Sequence, residues 1–384
     1  MSLQVSYKKQ FVFFVLLAVI FLIGVEVLVN IWLYTIYRCD FEDNEIFKDI
    51  DPEINRKVCL ESVGYGITKE RVSMVNGTHD KAVLVNGKMV WAANGLDKNL
   101  VHINNAGFRG PDFTKAKQDN TYRIFAVGGS TTFGVGVLDN QTFPFYLEEL
   151  YDDANLGLKV EVINTGWTGK WSLQETALIK DVLINFEPNL FIVYDGWNDL
   201  IKEIREHIDG ASAIEFKERW IEICDLGKQH GFDVIISLQP MAGTGKKILT
   251  EQEYGKKIRS KNQELFDNYP SYVEQLDALN DHCYLAVDLR GLFDNERGPI
   301  FFDEGHTGPR GNQIIAQKFY SLSLPLVVKA MESPDFNLDI DVVRESKTRL
   351  ISNDYDVFLE GFYKLRYLIS NYKTPRIFPL IFQH

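Results

Sequence analysis

Four short segments, in chain order, carry the residue types that acyl transfer needs. Gly128-Gly129-Ser130-Thr131-Thr132 offers a hydroxyl nucleophile, and Asp303-Glu304-Gly305-His306 offers a base three residues from an acid. Between them, Asn164-Thr165-Gly166-Trp167-Thr168-Gly169 and Gly196-Trp197-Asn198-Asp199 offer hydrogen-bond donors. A serine hydroxyl is a weak nucleophile until a base takes its proton. His306 suits that task. The carboxylate of Asp303, within reach on a turn, would fix the imidazole tautomer and stabilise the imidazolium. The oxyanion formed on an attacked carbonyl needs donors, each worth roughly 10²–10³ in rate. The candidates are the backbone N–H of Ser130, the backbone of Gly169, which glycine opens to close approach, and the side-chain amide of Asn198. Asp199 reads as a brace for its loop. Singly, each segment also fits a plain reading: a capped turn for Ser130, a surface loop for Asp303 and His306, a loop after a strand for Gly169 and Asn198. All four together, in this order, point to acyl transfer.

The elements around these segments alternate. Apolar runs at residues 123–127, 160–163, 190–194, 233–238 and 284–287 read as strands. Helical patterns lie at 143–151, 173–184, 211–230, about 250–280 and 310–331. Such alternation predicts a three-layer α/β/α sandwich around a parallel sheet. Ligands in such sheets bind beyond the carboxyl ends of the strands, and Ser130, Gly169 and Asn198 each follow a predicted strand. The lead-in at 38–116 has no strong period. Residues 82–85 and 89–92, around Asn86-Gly87-Lys88, read as a small hairpin. Arg109, in the irregular stretch before the sheet, reads as a structural ion pair rather than a substrate contact. Beyond residue 331 the chain turns acidic, and a helical pattern follows at about 354–372. The apolar tail either packs on the domain or lies on a membrane surface.

The chain has 384 residues, 45% of them hydrophobic, and a formal charge of −12. It can bury a large core, and its charge argues against a nucleic-acid partner. Residues 11–37 are almost continuously apolar, longer than the roughly 20 residues that cross a bilayer. Lys8 and Lys9 precede them and acidic residues follow, which favours a cytoplasmic N-terminus and an extracytoplasmic remainder. The run exceeds the roughly 7–15 residues of a signal h-region and has no clean cleavage pattern, so it reads as an uncleaved single-pass anchor. Glu26 and Asn30, one turn apart, would meet a partner helix in the membrane or reach its interface. The expected division is therefore 1–10 cytoplasmic, 11–37 transmembrane, 38–116 lead-in, 117–332 the α/β domain and 333–384 an extension.

Cys39 and Cys59 would form a disulfide in an oxidising compartment, whereas Cys224 and Cys283 read as ordinary buried cysteines. No cysteine spacing supports a metal site, and no cofactor is expected. Asn76-Gly77-Thr78 and Asn140-Gln141-Thr142 match the short glycosylation pattern. Gly243-Thr244-Gly245-Lys246-Lys247 fails as a phosphate loop, lacking the earlier glycine and the closing Ser/Thr. The Gly-x-Ser-x-Gly of α/β-hydrolases is also absent, because Thr132 holds its last position.

Over about residues 100–332 the ordered motifs resemble those of the SGNH (GDSL-type) hydrolases, named for Ser, Gly, Asn and His in chain order. The resemblance implies a nucleophile at Ser130, oxyanion donors at Ser130, Gly169 and Asn198, and an Asp303–His306 pair. Asn105-Ala106-Gly107-Phe108-Arg109-Gly110 resembles the segment before the domain in membrane-anchored members. One departure stands out: glycine occupies position 129, where the family usually has aspartate, so the bracing of the serine turn must differ. The expected activity is removal of O-acyl groups, such as acetyl, from glycans or lipids. An O-acyltransferase with the same residues, or a non-catalytic binding module on this fold, are the alternatives.

Overall fold

The structure, a computed structural model, describes residues 7–37, 84–85, 88–89, 101–104, 106–254 and 258–334, with isolated positions at 46, 54, 58, 336, 338, 343, 344 and 346. Its centre is a five-stranded parallel sheet of β1 (Thr121–Gly128), β2 (Lys159–Asn164), β3 (Leu190–Asp195), β4 (Asp233–Leu238) and β5 (Leu285–Asp288), in the order β2-β1-β3-β4-β5. This is the flavodoxin-like order, with β1 and β3 side by side where the winding reverses. Every residue of β1 and β3 is buried, as continuous apolar runs covered on both faces require.

The two-residue period of a strand divides the core. Ile124, Ala126, Leu190 and Ile192 face one layer. There they meet Phe143 and Leu147 of α3 (Phe143–Ala154) and Phe319 of α7 (Pro309–Ala330). Phe125, Val127, Phe191 and Val193 face the other. That layer holds Leu178 of α4 (Ser172–Asp181) and Trp220 of α6 (Ala213–His230). The α/β/α arrangement is thus the one expected from the alternating pattern.

Several details differ from that reading. The 173–184 pattern is two elements, α4 and a 3₁₀ turn at Leu183–Phe186. Among its described residues, the 250–280 pattern holds the helical segments Glu251–Tyr254, Ile258–Asn268, Pro270–Val273 and Leu276–Asn280. A further helix, α5 (Trp197–Ile204), follows β3 directly and places Asn198 in its first turn. In the hairpin, Leu84–Val85 pairs with Lys88–Met89, so Lys88 belongs to a strand rather than to the turn.

Cys224 and Cys283 correct the sequence reading, because they form a disulfide with Cα atoms 4.9 Å apart. They are separated by 59 residues, but α6 packs against Leu276–Asn280, the helix that leads into Cys283. Closing a loop of that length removes about 4 kcal/mol of unfolded-state entropy in the loop-closure model.

At the N-terminus, α1 (Tyr7–Tyr37) is one continuous helix, and Phe11, Phe14, Phe21 and Leu28 on it are exposed. Among the described residues no helix is long and apolar enough to cross a membrane. The side chains of Glu26 and Asn30, together with Cys39, Cys59, Asn76 and the 354–372 pattern, lie outside the described residues.

Candidate active site

The carboxyl edge of the sheet gathers the sequence motifs. Ser130 opens α2 (Ser130–Phe133), immediately after β1 and Gly129. The chain then turns through residues 134–137, and the buried Arg109 holds that turn. Its Nε donates to Asp139 at 2.8 Å, and its guanidinium donates to the carbonyls of Phe133 at 2.9 Å, Gly134 at 2.7 Å and Val137 at 2.6 Å. Arg109 is therefore the structural ion pair anticipated, and it fixes the loop that carries the serine.

His306 stands on the turn between β5 and α7. A bridge between Phe301 and Thr307 closes the turn, and the Phe302 ring stacks on the imidazole at 5.7 Å. Its base rests on the fully buried Glu253, whose Oε1 accepts the N–H groups of Ile300 at 2.9 Å and Phe301 at 3.1 Å. Lys247 pairs with the same carboxylate at 3.2 Å. The lysine that ends the phosphate-loop-like segment thus has a structural task.

On this turn His306 Nε2 lies 2.7 Å from Ser130 Oγ, and His306 Nδ1 lies 2.7 Å from Asp303 Oδ2. The other carboxylate oxygen, Oδ1, accepts the backbone N–H groups of Gly305 at 2.9 Å and His306 at 2.7 Å. Burial opposes the charge on Asp303, but the attraction of His306 and these hydrogen bonds outweigh it, and its pKa falls to about 2. For His306, burial opposes the charged form, while Asp303, by charge and by hydrogen bond, and then Glu304 favour it. The net effect raises the imidazole above its ordinary 6.5. The order carboxylate, imidazole, hydroxyl is the one that lets a serine lose its proton to a histidine.

Asn198 lies beside them in the first turn of α5. Its Nδ2 donates to the Lys170 carbonyl at 2.6 Å, which uses one of the two amide hydrogens. A Cβ built on Gly129 would stand 2.3 Å from that nitrogen. Position 129 is glycine because the Asn198 amide fills the space a side chain would need. Gly166 shows the same economy: a Cβ there would lie 2.1 Å from Phe133 N, so only glycine lets the second motif lie against α2.

A cleft of about 140 Å³ opens over these groups, lined by Ser130, Asn198, Asp303 and His306 together with Trp197, Ile201, Gln239 and Met241. Gly169 is not on its wall. It is exposed, with φ +73°, in the loop whose next residue, Lys170, accepts from Asn198.

Beneath α5 lies a feature the sequence reading did not assemble. Glu175, Asp195 and Asp199 are all buried. Asp199 braces its surroundings as expected, accepting Ser172 N at 3.0 Å and the Ser172 hydroxyl, with Arg219 at 3.9 Å. The carboxyl oxygens of Glu175 and Asp195 meet no such donors. Burial is the first cause that raises all three; the charge of Glu175 adds to it at Asp195 and that of Asp195 at Asp199. At Glu175, raised to about 8, a hydrogen bond with Asp195 works against burial and the charge of Asp199 adds to it. Their sequence separation hid the cluster, since each comes from a different element.

No protein-family model matches the chain, and no curated protein matches it. Solved structures with a similar fold include LAE5, an alpha/beta hydrolase enzyme from the metagenome of Lake Arreo, at 13% identity and TM-score 0.42, covering 52% of this chain and 94% of that one. The acetyl xylan esterase AlAXEase follows at 18% identity and TM-score 0.41, covering 52% and 98%. Axe2, an acetylxylan esterase from Geobacillus stearothermophilus, stands at 14% and 0.39, covering 56% and 96%.

Proposed function

We propose that this chain is a serine ester hydrolase of SGNH type, tethered to a membrane and facing an extracytoplasmic space, that removes short O-acyl groups from glycans or lipids. The observation that carries the chemistry is the unbroken chain of two 2.7 Å contacts from Asp303 through His306 to Ser130. Ser130 Oγ attacks the ester carbonyl carbon while His306 Nε2 takes its proton, and the carbonyl electrons move to oxygen. The free Asn198 N–H and the Ser130 N–H, an unpaired donor of a first helical turn, hold that oxyanion, while Gly169, exposed and off the cleft wall, takes no part. Collapse expels the alcohol, which takes the proton from His306. Water, activated by the same imidazole, then hydrolyses the acyl-enzyme. No metal or cofactor enters this scheme.

The small cleft favours a short acyl group. The apolar run at residues 11–37 supports a membrane tether, with Glu26 and Asn30 as candidates for contact with a second helix. The Cys224–Cys283 disulfide supports an oxidising compartment. Hydrolysis of p-nitrophenyl acetate by the full chain in detergent tests the reading. Ser130→Ala should reduce the rate by about 10⁴ or more. Equal turnover by that variant sinks the proposal.

A further inference from the structure

Gln239 is a polar side chain in the cleft that the reaction above does not use. It follows β4 directly, and its backbone is fixed at both ends. Its N–H donates to the Asp195 carbonyl at 3.0 Å, and its carbonyl accepts from the Tyr269 hydroxyl at 2.9 Å. The side chain is therefore held at the cleft wall by a rigid stem. Its Oε1 accepts from the Thr131 hydroxyl at 3.2 Å, and its Nε2 lies 3.1 Å from Met241 Sδ.

A thioether is a weak acceptor, and a primary amide has two N–H donors. Turning the amide over would set Oε1 against a sulfur that has no proton to give, with Nε2 facing a Thr131 hydroxyl that can accept. In either orientation the end at Met241 keeps hydrogen-bonding capacity that the protein does not use. Gln239 is only 4% exposed yet lines the cleft, so a ligand in the cleft is what can use it.

The position also indicates which part of a substrate it would meet. Gly305, next to His306, closes on this wall. A Cβ on Gly305 would lie 2.3 Å from Met241 Cε and 3.7 Å from Gln239 Nε2. His306 returns its proton to the departing alcohol, so the alcohol half of an ester must lie on the His306 side. Asn198, which would face the carbonyl oxygen, belongs to a different element, α5. Thr131 and Glu304 add polar groups beside Gln239 on the same lining.

We propose that Gln239 is a specificity-determining residue: its amide hydrogen-bonds a hydroxyl of the leaving alcohol and so favours esters of polyhydroxylated alcohols, sugars above all, over simple aryl esters. The proposal rests on the serine-esterase reading and narrows its substrate class. An amide matches a hydroxyl as donor and acceptor at once, and p-nitrophenol offers no such group at that place.

The test compares kcat/KM for a mono-O-acetylated sugar with free hydroxyls and for p-nitrophenyl acetate, in wild type, Gln239→Leu and Gln239→Met. The acetylated sugar should lose about tenfold, the range of one hydrogen bond, and p-nitrophenyl acetate should stay within about twofold. The aryl-ester rate also reports that each variant is folded. An equal loss on both esters would make Gln239 a structural residue, and no loss on either would make it a bystander. Both results overturn the proposal while leaving the esterase reading intact. A wild type that cleaves neither ester, or a Ser130→Ala form as active as wild type, overturns the esterase reading itself and this proposal with it.

Discussion

Two groups of carboxyls stand at the same edge of the sheet, and they have opposite character. Asp303 sits in the cleft with an imidazole and two backbone N–H groups on its oxygens, and it is held ionised down to about pH 2. Glu175, Asp195 and Asp199 sit under α5, and Glu175 takes a proton already at about pH 8. Both groups lose water. What separates them is the charged neighbour: Asp303 pairs with an imidazole that can become a cation, while Glu175, Asp195 and Asp199 are buried among one another's carboxyls, which outweighs even the Ser172 donors on Asp199. A carboxyl at this edge is therefore a charged partner of the base or a neutral packing group according to its neighbours.

The largest expected effect tests the charged side. Asp303→Asn keeps the shape of the side chain but removes the charge that stabilises the imidazolium. It should lower kcat by about 10⁴ with little change in folding, as measured by ester hydrolysis and circular dichroism. Glu175→Gln, the same chemical change in the neutral group, should leave kcat within a few-fold. Comparable losses in the two variants would erase the distinction.

Gly129→Ala comes next. A methyl group there collides with the Asn198 amide and meets the Lys170 carbonyl only at an ordinary 3.4 Å, so it displaces a donor without opening the fold. A fall of about 10² in kcat with a nearly unchanged Tm is expected, the value of one oxyanion donor. A large drop in Tm with proportionate loss of activity would mean that glycine is needed for the turn alone.

The pH dependence separates the groups again. His306 must be neutral to accept the serine proton, and its pKa is raised, so kcat/KM should climb through an acid limb centred above pH 6.5. Removing the Asp303 charge should move that limb lower in the residual activity of Asp303→Asn. A wild-type limb at or below 6.5 would contradict the ion pair.

The smallest effect concerns stability. A carboxyl with a raised folded pKa favours the folded state only while protonated. For Glu175 the stability present at and below about pH 4.5 is lost progressively as pH rises to about 8 and is then level. Glu175→Gln removes that slope, so its Tm should exceed wild type by about 2–8 °C at pH 9 and match it near pH 4, read by calorimetry at both pH values. A parallel offset at both would show that the glutamate is ionised or irrelevant.

The two groups also differ in how readable they were. Asp303 and His306 are three residues apart, and a turn brings their side chains together, so local spacing displays the pair. Ser130 and Asn198 follow strands whose apolar runs announce the sheet edge. Glu175, Asp195 and Asp199 reach one another only after α4, β3 and α5 have packed, and nothing local marks their convergence. The same holds for Cys224 and Cys283, joined through a helix whose register the sequence did not settle. Helix α5 did leave a signal, Trp197, Leu200, Ile201 and Ile204 at helical spacing, masked by reading the post-strand segment as a loop. Gln239 had no signal, since a lone glutamine after a strand is indistinguishable from a solvated one until Thr131 and Met241 are seen beside it.

The central claim is that His306, held by Asp303, makes Ser130 a nucleophile. Its most direct test is the reaction of the folded chain with a fluorophosphonate at neutral pH, followed by peptide mass spectrometry. The expected result is a single phosphonylated site at Ser130, absent in Ser130→Ala and strongly slowed in His306→Ala. A wild-type chain that stays unlabelled, or label retained in Ser130→Ala, would contradict it.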